Sequence, residues 1–298
     1  MRKLRLGTRG SRLALVQSEL VAARLRALGA ELVLVEVVTE GDLRPPGMSA
    51  GEGVFVAALE GQLAAGHVDL AVHSAKDVPL RLHPDLVIGA YPERADARDV
   101  LVTRSGRDSL DNLAPGSVVG TDSPRRAGFV LGRRPDLSHR PLHGNVDTRL
   151  RKLDRGEADG LVLAAAGLER LGAANRIDER FDVALVPPAP GQGALAVQCR
   201  AEDTELRVLL ARTDDPELRL AVAIERMVLE ATGGTCRSPV GALATVSGGR
   251  LRLLAGAAAP DGSARHVVQL EAEATEDAGA RLAGEAAAQL LRHVALPV

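Results

Sequence analysis

At 298 residues the chain is longer than one hydrophobic core usually sustains, so two or three domains are expected. A net charge of -2 argues against a general nucleic-acid binder, and 1% aromatic residues against chemistry built on base stacking or an aromatic cage. Two cysteines cannot build a disulfide framework and none sits at zinc spacing, so no metal is expected. No run approaches the roughly 18 apolar residues of a membrane helix, and "MRKLRLGTRGSR" has no signal-peptide core, so a cytoplasmic protein without membrane partners is expected.

In chain order, "KLRLGT" reads as a strand and Ser11 to Leu28 as an amphipathic helix closed by Gly29, with Leu13, Val16, Leu20 and Leu28 at helical spacing. "ELVLVEVV" is a continuous valine-rich run, as in a parallel strand buried on both faces. The aperiodic "TEGDLRPPGMSAGEGVF" predicts a long functional loop. A helix over Val54 to Ala65, the strand "VDLAVHS", the turn "AKDVP" and the strand "LVIGA" follow. From about Arg98 the pattern restarts: "DVLVTR", "GSVVGT", a helix over Arg125 to Arg133, "RPLHG", a helix over Val146 to Arg155, "DGLVLA" and a helix around Leu168. "VPPAPGQGALAVQCR" offers a hinge and then a strand that returns to the first unit. A long helix ending at Thr232, three strand-like runs and an alanine-rich helix complete the chain. The fold class is α/β: two lobes plus a small C-terminal α+β domain. The domains are residues 1–93 with 193–211, then 94–192, then 212–298.

Ligands of open α/β sheets sit beyond the carboxyl ends of the strands, where helix N-termini point. Three turns lie there. "GTRGS" holds Arg9 and Ser11, "GTDSPRR" holds Thr121, Ser123, Arg125 and Arg126, and "HGNVDTR" holds His143, Asn145 and Arg149. Their hydroxyls, amides and guanidiniums suit a ligand rich in carboxylates. Each alone has a plainer explanation: Ser11 and Ser123 as helix caps, and the Arg-Arg pair as a solvated helix face in so arginine-rich a chain. Of 37 basic residues only Lys3, Lys76 and Lys152 are lysine, so Lys76 in "HSAKDVP" stands out. His73, Lys76 and Asp77 are expected to emerge where that strand ends, with Asp77 able to move a proton. The alternative is a strand-turn ion pair. Cys199, inside a strand, reads as a small buried apolar residue. Cys236, in "GGTCRSPVG", is open to three readings: a buried apolar residue, a nucleophile or an attachment point.

Together "GTRGSRLALVQ", "FVAALE", "DLAVHSAKDVP", "VGTDSPRR", "HGNVDTRLRKLD", "AAAGLERLG", "PAPGQGA" and "GGTCRSPVG" resemble the porphobilinogen deaminase (hydroxymethylbilane synthase) family, in family order and across the whole chain. The resemblance implies a monomeric three-domain transferase whose first two domains are periplasmic-binding-protein-like. It implies a dipyrromethane cofactor joined by a thioether to Cys236, and stepwise condensation of porphobilinogen with loss of ammonia. Asp77 is the catalytic residue it implies. Lys76, Thr121, Ser123, Arg125, Arg126 and Asn145 would meet the cofactor, and Arg9, Ser11, Gln17, Phe55, His143, Arg149 and Arg170 the substrate. His143 stands where the family usually has arginine, and Glu52 where it has lysine. Two rivals are a non-catalytic two-lobed binder of a polycarboxylate and a cysteine-nucleophile hydrolase pairing Cys236 with a histidine.

Overall fold

The strand β1 (Leu4–Thr8) leads into the helix α1 (Arg12–Ala27), which starts where Ser11 Oγ accepts a hydrogen bond from the Ala14 amide at 3.3 Å. The helix stops at Gly29, whose φ of 88° few side chains tolerate. These elements belong to a computed structural model that describes residues 2–38, 54–235 and 237–296, without the side chains of Val54 and Phe55. The glycine-rich loop that the sequence predicts, with Glu52, and the Cys236 thiol lie outside the described residues.

The chain divides into two compact units, Met1–Arg94 with Ala194–Arg219, and Ala95–Gly193 with Leu220–Val298. The first holds β1, α1, β2 (Leu32–Glu36), α2 (Val54–Ala64), β3 (Leu70–Ser74), β4 (Leu86–Ala90), β10 (Leu195–Arg200) and α6 (Thr204–Ala211). Its sheet runs β2-β1-β3-β10-β4, with β1 parallel to β2 and β3, and β10 antiparallel to both its neighbours. Leu6, Val21, Leu25, Leu70, Leu195, Val197 and Leu210 fill the core on one face.

The run "ELVLVEVV" is not buried on both faces: β2 is the sheet edge, so Val33 remains 39% exposed. His73 does not emerge at the strand end. It is 5% exposed, and its Nε2 lies 3.0 Å from Gln198 Oε1. Gln198 Nε2 donates to Glu60 Oε1 at 2.7 Å, which fixes the amide orientation and makes His73 the donor to the carbonyl oxygen. Burial pushes the imidazole down to about 4 although that bond opposes the shift, so the ring is neutral near pH 7.

Below β3, away from the strand ends described next, Asp69 accepts from Arg5 Nε at 3.1 Å, Arg5 Nη2 at 3.0 Å and Arg200 Nη2 at 3.2 Å. Burial acts to raise this carboxyl, but the Arg5 and Arg200 bonds win and hold it at about 2. A carboxylate held below its unfolded range stabilises above about pH 4 and loses that contribution as pH falls toward 2. Allowing for solvent screening around the exposed Arg5, this amounts to about 1–2 kcal/mol. Asp69→Asn is therefore expected to lower the urea midpoint at pH 6, with the gap to the parent chain narrowing steadily between pH 4 and 2. A gap independent of pH contradicts this account.

In the second unit β5 (Asp99–Thr103), β6 (Val118–Gly120), β7 (Ser138–Arg140), β8 (Gly160–Ala164) and β9 (Glu179–Arg180) form a sheet in the order β7-β6-β8-β5-β9. Helices α3 (Pro124–Arg133), α4 (Val146–Asp154) and α5 (Ala165–Arg170) follow β6, β7 and β8. Helix α7 (Pro216–Ala231) leads to an antiparallel sheet of β11 (Val240–Ser247), β12 (Arg250–Ala258) and β13 (Arg265–Glu273), then to α8 (Glu276–His293). Phe129 of α3, fully buried, packs with Ala258 and Val267 of that sheet as well as with Leu101 and Val162. Among the described residues, no helix is long and apolar enough to cross a membrane, and no cluster of three or more His, Cys, Asp or Glu could hold a metal ion.

Candidate active site

In the first unit the parallel pairing of β1 and β3 places their carboxyl ends at one edge of the sheet. There the Arg9–Ser11 turn leaves β1, and the single 3-10 turn Ala75–Asp77 leaves β3. Gln17, 6% exposed on α1, donates from Nε2 to Ser74 Oγ at 3.0 Å and ties the two turns together. Lys76 is half-buried, and Asp77 is exposed. The Asp77 carboxylate makes no hydrogen bond or ion pair among the described residues, so it is not a partner in a strand-turn ion pair there. Ser11 caps α1, as its plainer reading held, and that leaves its hydroxyl proton to donate elsewhere. The Phe55 side chain lies outside the described residues.

In the second unit β6, β7 and β8 are parallel or joined through β6, so the turns after them share an edge. Thr121, 1% exposed, accepts at Oγ1 from the Ser123 amide at 3.3 Å, and Ser123 Oγ accepts from the Arg126 amide at 3.4 Å. Asp122 joins this turn to the next. Its Oδ2 accepts from Arg149 Nη2 at 2.9 Å, while its buried Oδ1 lies 2.9 Å from His143 Nδ1 without hydrogen-bond geometry. Asn145 is exposed at the start of α4, and its side chain makes no capping bond, so amides of the first turn stay available to an anion. Arg170, at the end of α5, donates from Nη2 to Gly193 O at 2.9 Å.

The Arg-Arg pair is not a solvated helix face. Arg125 is 3% and Arg126 is 6% exposed, and both face Asp99, which is fully buried at the start of β5. The antiparallel register Asp99↔Ala164 brings that aspartate to the same edge as the turns. Burial alone would raise the Asp99 carboxyl, but the two guanidiniums override it and hold it at about 2. Two guanidiniums against one carboxylate leave a surplus positive charge on side chains that are almost wholly buried. Burial pushes the Arg125 guanidinium downward, Asp99 opposing and the like charge of Arg126 adding to it. Arg125 spends only Nη1, on Asp99 Oδ2 and on Pro187 O, and its Nε and Nη2 make no hydrogen bond among the described residues. Buried charge and unspent donors suit an anionic group with carboxylates. Sequence reasoning missed Asp99, although an acid opening the apolar run "DVLVT" was a usable signal.

Comparison with known proteins gives one family twice. Residues 4–208 match the family model described as porphobilinogen deaminase, dipyromethane cofactor binding domain, and residues 219–292 match porphobilinogen deaminase, C-terminal domain. The chain is 46% identical over 291 residues to porphobilinogen deaminase of Acidothermus cellulolyticus, covering 95% of this chain and 88% of that one. It is 47% identical over 264 residues to the protein of the same name from Roseiflexus castenholzii, covering 87% of each. Among solved structures it is similar to the periplasmic VFT2 domain of Bordetella pertussis BvgS, at 19% identity and a TM-score of 0.43, over 74% of this chain and 92% of that one.

Proposed function

The chain belongs to the porphobilinogen deaminase family, and we propose how its own residues carry that family's reaction. The chain is a transferase of tetrapyrrole biosynthesis with a dipyrromethane cofactor. It joins porphobilinogen units head to tail, with loss of ammonia, into the linear tetrapyrrole hydroxymethylbilane. When bound, the dipyrromethane supplies the free pyrrole carbon from which the product chain grows. Cys236, in the glycine-rich stretch "GGTCRSPVG", is its attachment point, a sulfur nucleophile suited to a lasting thioether.

Asp77 does the proton work. It protonates the amine as the carbon–nitrogen bond of porphobilinogen breaks, and its carboxylate then faces the cation left on the substrate methylene. The proton released from the pyrrole carbon as the new carbon–carbon bond forms returns to it. Every pyrrole brings an acetate and a propionate, so negative charge accumulates with each unit. Arg9, Ser11, Gln17, His143, Arg149 and Arg170 receive substrate carboxylates, and Phe55 covers the incoming ring. Lys76, Thr121, Ser123, Arg125, Arg126 and Asn145 serve the cofactor. The observation that carries this assignment is the surplus buried charge of the Arg125–Arg126–Asp99 cluster. The reading also divides the chain into domains of residues 1–93 with 193–211, 94–192 and 212–298, and makes it a cytoplasmic monomer.

Intact-mass measurement of the purified chain tests the reading. A covalent dipyrromethane adds roughly four hundred daltons to the sequence mass. An unmodified chain that binds porphobilinogen reversibly and releases no ammonia supports the non-catalytic polycarboxylate binder instead.

A further inference from the structure

Asp99 does more than neutralise an arginine, because its two oxygens treat the two guanidiniums differently. Arg126 is spent on the protein: Nε donates to Asp99 Oδ1 at 2.9 Å, Nη1 to Val162 O at 3.3 Å and Nη2 to Gln192 Oε1 at 3.3 Å. Gln192, fully buried, donates from Nε2 to Ala97 O at 2.7 Å and to Asp99 Oδ1 at 2.9 Å. An amide nitrogen bonded to two oxygens fixes which end of Gln192 meets Arg126. Arg125 is held by one end alone, with Nη1 2.6 Å from Asp99 Oδ2 and 2.5 Å from Pro187 O. The segment that supplies Pro187 and Gln192 is itself fixed: the Pro188 carbonyl accepts from the Ala242 amide at 2.8 Å, and the Gly191 amide donates to Glu225 Oε2 at 2.7 Å. Gly193 then takes a φ of 83°, with no room for a side chain against the Ala95 carbonyl.

We propose that Asp99 and Gln192 are positioning residues for cofactor capture, which immobilise Arg126 and pin Arg125 by Nη1 so that its Nε and Nη2 edge meets a cofactor carboxylate in one orientation. That edge is the one from which a guanidinium makes two parallel bonds to a carboxylate. Arg126 acts as a fixed charge behind it. A purely structural role needs only matched charges, whereas here a second guanidinium stays buried without a counter-charge of its own. The inference rests on the reading above that Arg125 meets the cofactor.

The test follows the rate at which the cofactor-free, full-length chain acquires the adduct from porphobilinogen, read by intact mass, in Asp99→Asn, Gln192→Ala and Arg125→Gln. Loss of supporting partners around a ligating group commonly costs about 10–100-fold, so Asp99→Asn and Gln192→Ala are expected to load at least roughly tenfold more slowly, as Arg125→Gln does. A merely structural role lowers the melting temperature of the two variants but leaves their loading rate at 20 °C or so unchanged, and that result overturns the proposal. If Arg125→Gln loads slowly while the other two load normally, the positioning role falls and the Arg125 reading stands. Normal loading by Arg125→Gln removes both. Should Asp99→Asn fail to fold, Gln192→Ala decides alone, since it removes hydrogen bonds and no charge.

Discussion

Replacing Asp77 by asparagine is expected to cut porphobilinogen consumption sharply and to leave the fold intact. The side chain is exposed on the turn after β3, and its carboxylate holds no partner among the described residues, so its loss breaks no packing. The stability change is expected within about 0.5 kcal/mol. Asparagine keeps the volume and an acceptor oxygen but cannot deliver a proton. General acid–base catalysis is typically worth about 10²–10⁴-fold, so kcat should fall at least that far, with KM changing much less. Colorimetric assay of residual porphobilinogen, beside a thermal melt, reads both quantities. Consumption within a few-fold of the parent chain takes Asp77 out of the mechanism.

The second large effect separates the two cysteines. Cys236→Ser should abolish both adduct and turnover, because a hydroxyl at this position is a far weaker nucleophile than a thiolate. Cys199→Ser should keep the adduct. Cys199 is fully buried in β10 against the Leu70 and Leu210 core, where burial pushes its thiol up to about 11, and such a thiol is inert near pH 7. Its cost is instead stability, about 1–3 kcal/mol for a hydroxyl placed in an apolar site. Intact mass and a melt of each variant give four numbers, and an adduct that survives Cys236→Ser but not Cys199→Ser reverses the assignment.

Much of this organisation can be read from residue order. The turns after β1 and β6 stand out as strand-to-helix junctions, because apolar runs end there and hydroxyl, glycine and basic residues begin, whereas β7 is the exposed Ser138–Arg140, ending where the "RPLHG" run begins. Position within a sheet is another matter. "ELVLVEVV" and "DVLVT" look alike as apolar runs, yet one is an edge strand and the other is buried throughout, since local pattern records apolarity and not the neighbours that topology supplies. The same limit hides His73, whose partner Gln198 is 125 residues away in the sequence, and Asp99, whose arginines lie 26 and 27 residues on. Helix α6 escapes notice for a simpler reason: eight residues carry little periodicity, and only Leu206, Leu209 and Leu210 turning into the first core reveal it.

The insertion of β10 between β3 and β4 also governs how the protein can be made. On the ribosome, the opening sheet has a gap one strand wide until residue 200 has emerged, and the intervening segment must be synthesised first. At about 5–20 residues per second that delay is on the order of ten seconds, during which two unpaired strand edges are open to wrong partners. A nascent chain arrested before Arg200 should be a target for chaperones and proteases, whereas one released a few residues later can close.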